Sequence, residues 1–234
     1  MRELHQLGRF SRLKRHVLED ASLPVRELDG GQNLARAGDL LVHCTLLLEG
    51  CACSHKTLED GRRQIVALHL PNDLCGLPSL LLGRLSHGVG TLTPVRVVFV
   101  PHATILAWTG QHPDRTQALW RATLVDAAIS HEWVVNVGRR TAYQRTAHLL
   151  CEFLLRMRQA GLAQGLTCWM PLTRTELGDA LGLTGVHVSR ALEWLRDGKL
   201  IDLRDGTLTV LNLPELASLA GFDPAYLHLV GATT

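Results

Sequence analysis

Short apolar runs separated by turn residues fill the first half of the chain. Four runs of strand length cover residues 40–48, 51–56, 64–70 and 95–100. Asp60-Gly61 lies between the second and third runs and has the sequence of a tight β-hairpin turn. Many short strands at spacings of about ten residues predict an antiparallel sandwich or barrel.

A helical period replaces this pattern from residue 114 onward. Apolar side chains at three- and four-residue intervals predict a long helix over residues 114–138. Such a helix has to bury its apolar stripe, either against its own chain or against a second copy in a coiled-coil seam, and the pattern fits both. A second helix is predicted over residues 142–160, ending at Gly161, with Gly138-Arg139-Arg140 as the joint between the two regions.

Residues 172–210 have the pattern of a winged helix-turn-helix. Thr173 and Glu176 form a capping box that starts one helix, and Gly182 ends it. Thr184 can cap a second helix, whose apolar positions share one face. Two strand-like runs, residues 200–203 and 207–210, then flank Arg204-Asp205-Gly206 as a β-hairpin wing.

The second helix of this motif presents groove-reading chemistry on its polar face. A bidentate donor for guanine, an apolar contact for a thymine methyl group and a hydroxyl suit the major groove. The candidate base-reading residues are Gly185, Val186, Ser189 and Arg190. The candidate phosphate contacts, at or near the two helix N-termini, are Thr173, Arg174, Thr184 and His187. The competing interpretation is an αα-hairpin packed inside a larger domain.

Composition narrows the class of protein without identifying its partner. Of 234 residues, 46% are hydrophobic and 20% are charged, and this composition excludes a disordered tail. The net charge is only +2, so the chain has no global basicity that would indicate a nucleic-acid partner. No apolar run approaches the ~18 residues of a membrane span, and residues 1–5 show no signal region, so a cytoplasmic location is expected. No P-loop, dinucleotide-binding glycine motif, His-Glu-x-x-His or nucleophile elbow is present, so an enzyme is not expected.

The order of these parts resembles the CRP/FNR family of bacterial transcription regulators over about residues 4–213. The matching segments are Gly38-Asp39, residues 46–50, 60–64 and 71–76, then residues 172–183, 188–192 and 198–201. The resemblance implies an α+β chain with an N-terminal double-stranded β-helix (jelly roll) of the cyclic-nucleotide-binding type over residues 1–113. It further implies a dimerisation helix over residues 114–138 and a winged helix-turn-helix DNA-binding domain over residues 139–234.

The resemblance also implies partners. These are a second copy of the chain, a roughly palindromic double-stranded DNA site and RNA polymerase, with no membrane. Recognition helices of the family often contain Glu-x-x-Ser-Arg. Here Ser189 and Arg190 match, and Val186 replaces the glutamate, which removes an acceptor for cytosine N4. The half-site is therefore expected to differ from the usual one at that base pair.

One departure from the family concerns the effector. Members that bind cyclic AMP carry Gly-Glu followed some residues later by Arg-Ser. The corresponding residues here are Gly76 and Leu77, and then Arg84, Ser86 and His87. Without the glutamate that binds ribose hydroxyls, a cyclic nucleotide is not expected, although Arg84 leaves an effector at these residues open.

A redox- or metal-sensing jelly roll is the alternative function. The candidate metal ligands are Cys51, Cys53 and His55, with His43, His69 or Cys75 as a fourth. The first three alternate along one predicted strand, so they could face one ion, but small side chains filling a crowded core are the favoured interpretation. Cys75, in an apparent loop, is the candidate redox thiol. The first cysteine is Cys44, so the N-terminal iron–sulfur cluster of the oxygen-sensing branch is not expected, and no spacing selects a haem ligand.

Overall fold

A computed structural model of the protein describes residues 11–110 and 112–229. The first ten residues of the expected jelly-roll domain and the last five of the expected DNA-binding domain lie outside the described residues. The chain divides into two compact units, one ending at Asp126 and the other beginning at Ala127. Within the described part of the chain, no helix is long and apolar enough to cross a membrane.

Two four-stranded antiparallel sheets form the first unit. The strands are β1 Val25–Leu28, β2 Asn33–Ala35, β3 His43–Glu49, β4 Ala52–Thr57, β5 Arg63–His69, β6 Leu74–Cys75, β7 Gly88–Thr91 and β8 Val95–Pro101. The first sheet has the order β1-β8-β3-β6, and the second has the order β2-β7-β4-β5. β4 and β5 form the hairpin predicted at Asp60-Gly61. The two sheets confirm the expected jelly roll.

Burial on both faces explains the apolar runs of the first sheet. Val97 of β8 packs with Ala52 of the second sheet, between the two layers. Val98 and Val100 pack in a different cluster, which contains Ile105 and Trp108. Because successive side chains of a strand point to opposite faces, a strand covered on both sides has to be apolar throughout.

Helices cover the outer face of this sheet. They are α1 Ser11–Arg15, which continues into a π-helical turn at His16–Asp20, then α2 Ser79–Leu82, α3 His102–Gly110 and α4 Pro113–Arg139. Leu119 and Ala122 of α4 lie in the same cluster as Trp108 of α3. The long helix predicted over residues 114–138 is confirmed to within one residue at each end.

The second unit contains the end of α4 and the winged helix-turn-helix. Its further elements are α5 Ala142–Gln159, β9 Ala163–Gln164, β10 Thr167–Trp169, α6 Arg174–Leu181, α7 Gly185–Asp197, β11 Ile201–Arg204, β12 Thr207–Val210, α8 Leu213–Ala220 and a 3₁₀ turn at Pro224–Leu227. Its four strands form one antiparallel sheet with the order β11-β12-β10-β9. The predicted wing is therefore part of a larger sheet than the sequence indicated.

Some strands differ from the prediction. The run over residues 40–48 becomes a strand only at His43, because Leu40 makes an isolated bridge with Arg84 instead of joining a ladder. β1, β2, β6 and β7 were not predicted individually. β6 has only two residues, and β7 contains two glycines, so neither carries an apolar alternation that a sequence pattern could detect.

The expected joint at Gly138-Arg139-Arg140 lies inside the second unit. Arg145 of α5 donates from Nε to the Arg140 carbonyl at 2.9 Å and from Nη1 to the Leu181 carbonyl at 3.1 Å. Thr141 and Gln144 add a capping box at the start of α5. These hydrogen bonds tie the turn between α4 and α5 to the end of α6, so the turn belongs to the body of the unit.

Candidate nucleic-acid interface

Both helices of the helix-turn-helix begin at a threonine cap, which confirms the sequence prediction. Thr173 Oγ1 accepts a hydrogen bond from the Glu176 N–H at 3.2 Å, and Glu176 Oε2 accepts one from the Thr173 N–H at 2.7 Å. Thr184 Oγ1 accepts a hydrogen bond from the His187 N–H at 3.4 Å. Each cap satisfies backbone donors that a helix N-terminus leaves open and so fixes where the helix begins.

Two glycines shape the turn between α6 and α7. Gly182 has a φ of 62° and ends α6 in the left-handed conformation. At Gly178, inside α6, a Cβ would lie 2.6 Å from the Leu183 carbonyl oxygen. The lack of a side chain at Gly178 therefore lets the turn fold closely against α6. The sequence pattern identified Gly182 and missed Gly178.

α7 has a buried face and an exposed face at the positions that the sequence predicts. The buried residues are Val188, Ala191, Leu192 and Leu195. The exposed residues are Gly185, Val186, His187, Arg190 and Glu193, and Ser189 is half-buried beside them. The four base-reading candidates thus share one face in the N-terminal half of α7. This is the part of a recognition helix that contacts base edges.

His187 is oriented by the cap of its own helix. Its Nδ1 lies 2.8 Å from Thr184 Oγ1. The Thr184 hydroxyl can donate its proton to Nδ1, which places the ring proton of a neutral imidazole on Nε2. The Nε2–H is then a donor on an exposed side chain at a helix N-terminus, where an anion is also favoured by the helix dipole.

The other phosphate candidates differ in their surroundings. Arg174 is exposed at the first position of α6. The Thr173 hydroxyl donates to Glu176 Oε2 at 2.8 Å, so it is occupied, and the carboxylate beside it repels a phosphate. Arg174 and His187 are therefore better placed for phosphate contacts than Thr173.

The wing is a tight hairpin. Asp205 and Gly206 both have positive φ, at 49° and 71°, as a two-residue primed turn requires. Arg204 at its edge forms an ion pair with Asp202 at 2.9 Å. Trp169 of β10 lies beside Gly206 and is 46% exposed. The wing therefore presents an aromatic ring next to its tip.

Comparison with known proteins agrees with this architecture. Residues 25–112 match the family described as the cyclic nucleotide-binding domain, and residues 144–219 match the Crp-like helix-turn-helix domain. The transcriptional activator protein FnrL of Cereibacter sphaeroides is 32% identical over 206 residues, which cover 85% of this chain and 81% of that protein. The chain belongs to the CRP/FNR family. Members of this family are transcription regulators that bind DNA through the helix-turn-helix, and they are not enzymes.

Further relatives support the CRP/FNR assignment. The fumarate and nitrate reduction regulatory protein of Vibrio cholerae is 26% identical over 196 residues, which cover 84% of this chain and 78% of that protein. The structure of FixK2 from Bradyrhizobium japonicum has a TM-score of 0.76 and 26% identity, and it covers 86% of this chain and 98% of its own. A CRP-family transcriptional regulator from Thermus thermophilus, at 18% identity and a TM-score of 0.65, covers 84% of this chain and 97% of its own and shares the fold.

The effector candidates of this CRP/FNR chain differ in their burial and contacts. Leu77 is buried in the cluster that contains Trp108. Arg84 is exposed, and its Nη1 donates to the Gly38 carbonyl at 2.6 Å. The remaining candidates are Gly76, which is buried, Ser86, which is exposed, and His87, which is half-buried. Leu77, which the resemblance places where cyclic-AMP-binding members carry a glutamate, thus packs into the core.

The metal candidates lie on β4 or directly before it. Cys51 and Cys53 are buried, and His55 is half-buried. The register shift opposite Ser54 and His55 comes from one extra residue, Val66, in β5, whereas β4 pairs with β7 without a shift, so the predicted alternation along β4 is kept. Among residues 11–110 and 112–229, no group of three or more His, Cys, Asp or Glu side chains is placed to hold a metal ion. The three residues therefore form no ligand cluster, and neither His43, His69 nor Cys75 completes one.

The thiols are in surroundings that suppress their reactivity. All six cysteines are buried. Burial raises the pKa of Cys44 and Cys151 to about 12 and that of Cys168 to about 11. Cys75 lies in β6 rather than in a loop, and burial, together with Asp73, raises its thiol pKa. The thiolate is the reactive form of cysteine, and these raised pKa values disfavour it. A redox-sensing regulator is therefore not favoured over a DNA-binding regulator that does not sense redox state.

The sequence pattern did not reveal a row of buried polar residues on α5. His148, Glu152 and Arg156 lie four positions apart, and their side chains are 1%, 1% and 9% exposed. A spacing of four places them on one side of the helix. That spacing, flanked by apolar residues on both sides, was the available signal. The apolar positions of α5 are sufficient to predict the helix, and the polar row adds nothing to that prediction.

Proposed function

We propose that the protein regulates transcription as a homodimer that binds a roughly palindromic DNA site through α7. The observation that carries this proposal is the exposed face of α7, with Gly185, Val186, Ser189 and Arg190 together. Arg190 makes no hydrogen bond or ion pair within the described part of the chain, so its guanidinium is available for guanine O6 and N7. Val186, 61% exposed, can contact a thymine methyl group.

A second apolar stripe on α4 supports the dimer. One face of this helix is buried by its own chain, through residues such as Leu119, Val125 and Ile129. Trp120, Leu124 and Val134 lie on another face and are 66%, 59% and 68% exposed. With Ala127, His131 and Gly138 they recur at alternating intervals of four and three residues, which is the spacing of a coiled-coil seam. The two uses of α4 that the sequence left open are therefore compatible with each other.

Two copies of the recognition helix compensate for a modest positive charge. Glu193 and Asp197 are exposed on the same helix as Arg190 and oppose the phosphate backbone. A dimer with two-fold symmetry places two helices in successive major grooves, about one turn of DNA apart, and adds the two contributions. A palindromic site is the consequence of this symmetry.

The surrounding proposals follow from DNA as the partner. We assign the protein to the cytoplasm, where bacterial DNA lies. We also propose RNA polymerase as the partner through which it acts on transcription. Membership of the CRP/FNR family supports both. For phosphate binding we propose Arg174 and His187, with smaller contributions from Thr173 and Thr184, whose hydroxyls are engaged in the caps of their own helices.

The test is a base-substitution series on the site that the protein selects. Binding of labelled duplexes is measured by fluorescence anisotropy for the protein, for Arg190→Ala and for Arg196→Ala, which removes an exposed arginine from the far end of α7. We expect Arg190→Ala to lose about 1–3 kcal/mol per half-site and to become indifferent to replacement of one guanine. Arg196→Ala should keep the base preference. Equal base preferences in all three proteins would contradict the proposal.

A further inference from the structure

Glu152 is a carboxylate buried at the centre of the second unit. Its Oε2 accepts hydrogen bonds from Trp133 Nε1 at 3.0 Å and from the Tyr226 hydroxyl at 2.9 Å. Its Oε1 lies 3.3 Å from Arg156 Nη1. We call these four residues the Glu152 cluster. None of them belongs to the DNA-reading face, so that face does not explain the cluster.

The Glu152 cluster joins three separate elements. Trp133 lies near the end of α4, Glu152 and Arg156 lie on α5, and Tyr226 lies in the 3₁₀ turn after α8. α5 packs against α6, α7 and α8. The carboxylate therefore links the end of the helix that carries the dimer stripe to the helix that supports the recognition helix.

Each hydrogen bond in the Glu152 cluster stabilises a buried charge. A buried carboxylate destabilises the fold unless hydrogen-bond donors surround it, so removing one donor places a greater demand on the remaining ones. Burial and the nearby Glu152 raise the pKa of the Tyr226 hydroxyl, which keeps it protonated and able to donate. Trp133 has only one side-chain donor, its Nε1–H, and Glu152 accepts it.

A second set of contacts reinforces the same connection. Arg140 Nη2 donates to Glu132 Oε1 and to the Gly221 carbonyl, the latter at 3.2 Å. His148 Nε2 lies 3.3 Å from the same Glu132 oxygen, and its ring is in contact with Phe222 and Tyr226. The segment after α8 is thus attached to the end of α4 at two places.

We propose that Glu152 is a positioning residue that fixes the angle between the end of α4 and the recognition helix, and thereby the half-site spacing that the dimer accepts. This inference rests on the proposed function, since spacing has meaning only for a dimer on two half-sites. Tyr226 and Trp133 act through Glu152, and the segment after α8 takes part in DNA recognition without contacting DNA.

The experiment uses the full chain and a set of duplexes in which the distance between two half-sites varies by one and two base pairs. A duplex with a single half-site accompanies the set. The variants are Tyr226→Phe, which removes one hydroxyl, and Glu152→Gln, which removes the charge. Tyr143→Phe alters the only other tyrosine in the chain and is the matched control. Circular dichroism verifies that each variant is folded.

The protein and Tyr143→Phe are expected to bind one spacing about tenfold or more tightly than its neighbours. In Tyr226→Phe and Glu152→Gln the preference should fall severalfold, while affinity for the single half-site changes less than about twofold. An unchanged spacing preference in both folded variants would overturn the positioning role and leave the proposed function intact. A parallel loss on the single half-site would show a general structural role instead. If the unaltered protein binds no duplex, the proposed function fails and this inference with it.

Discussion

His148 is expected to make the folded protein less stable as the pH falls below 7. Its ring is 1% exposed, and its centroid lies 5.0 Å from that of Phe222 and 5.9 Å from that of Tyr226. Burial, and next the Arg140 guanidinium, lower the pKa of His148 from 6.5 to about 4, although Glu132 acts in the opposite direction. The folded protein therefore keeps a neutral imidazole at pH values where the unfolded chain binds a proton.

The size of the effect follows from proton linkage. Between pH 6.5 and about 4 the unfolded state binds more protons, so the free energy of unfolding falls with falling pH and levels off below the folded pKa. With these two pKa values, the change from pH 7 to pH 5 removes about 2 kcal/mol. The first unit contributes too, since burial lowers the pKa of His43, His87 and His102. The informative quantity is therefore the difference between the protein and His148→Phe, which keeps a ring and cannot titrate.

Guanidinium denaturation at pH 7 and pH 5, followed by tryptophan fluorescence, measures this difference. His112→Gln, at an exposed histidine, is the control and should retain the full pH dependence. NMR of the ring protons gives the pKa of His148 directly. An identical pH dependence in the protein and in His148→Phe, or titration of His148 near pH 6.5, would refute the reasoning.

Three further predictions concern other parts of the chain. Gly178→Ala should destabilise the protein by about 1–3 kcal/mol in thermal unfolding, because the new Cβ would lie 2.6 Å from the Leu183 carbonyl oxygen, whereas Gly185→Ala, with nothing within 4 Å, should not. Leu124→Asp should shift the protein from dimer to monomer in analytical ultracentrifugation, while Ala118→Asp, exposed outside the stripe, should not; a dimeric Leu124→Asp would contradict the seam. Iodoacetamide at pH 8 should modify all six buried cysteines far more slowly in the native than in the denatured protein, and rapid modification of Cys75 would revive the redox alternative.

The elements that the sequence predicted best are those with a local chemical signature. The caps at Thr173 and Thr184, the end of α6 at Gly182 and the turn at Asp205-Gly206 each depend on residues within a few positions of one another. The exposed face of α7 followed from helical geometry once its buried positions were known. For the same reason the candidate base-reading residues could be named from the amino-acid pattern.

Features that depend on distant residues were not accessible from the pattern. The link from Trp133 through Glu152 to Tyr226 spans 93 positions, from 133 to 226, and no local signature announces it. The metal prediction failed for a related reason, because alternation along one strand is local, whereas a ligand cluster also needs donors from distant residues, and the described residues bring together no such group. Likewise, the sequence predicts a joint at Gly138-Arg139-Arg140. The hydrogen bonds of Arg145 to the Arg140 and Leu181 carbonyls, which fix the turn between α4 and α5, involve a residue 36 positions away and are not visible in the local pattern.

Selection of bound sites from a random-sequence DNA pool is the most direct test of DNA recognition by α7. The full chain is used with and without a chelator and a thiol reductant. The expected result is one two-fold symmetric site, recovered in every condition, with half-sites about one turn of DNA apart, and its loss in Arg190→Ala. No enriched site in any condition, or an enriched site that persists unchanged in Arg190→Ala, would contradict it.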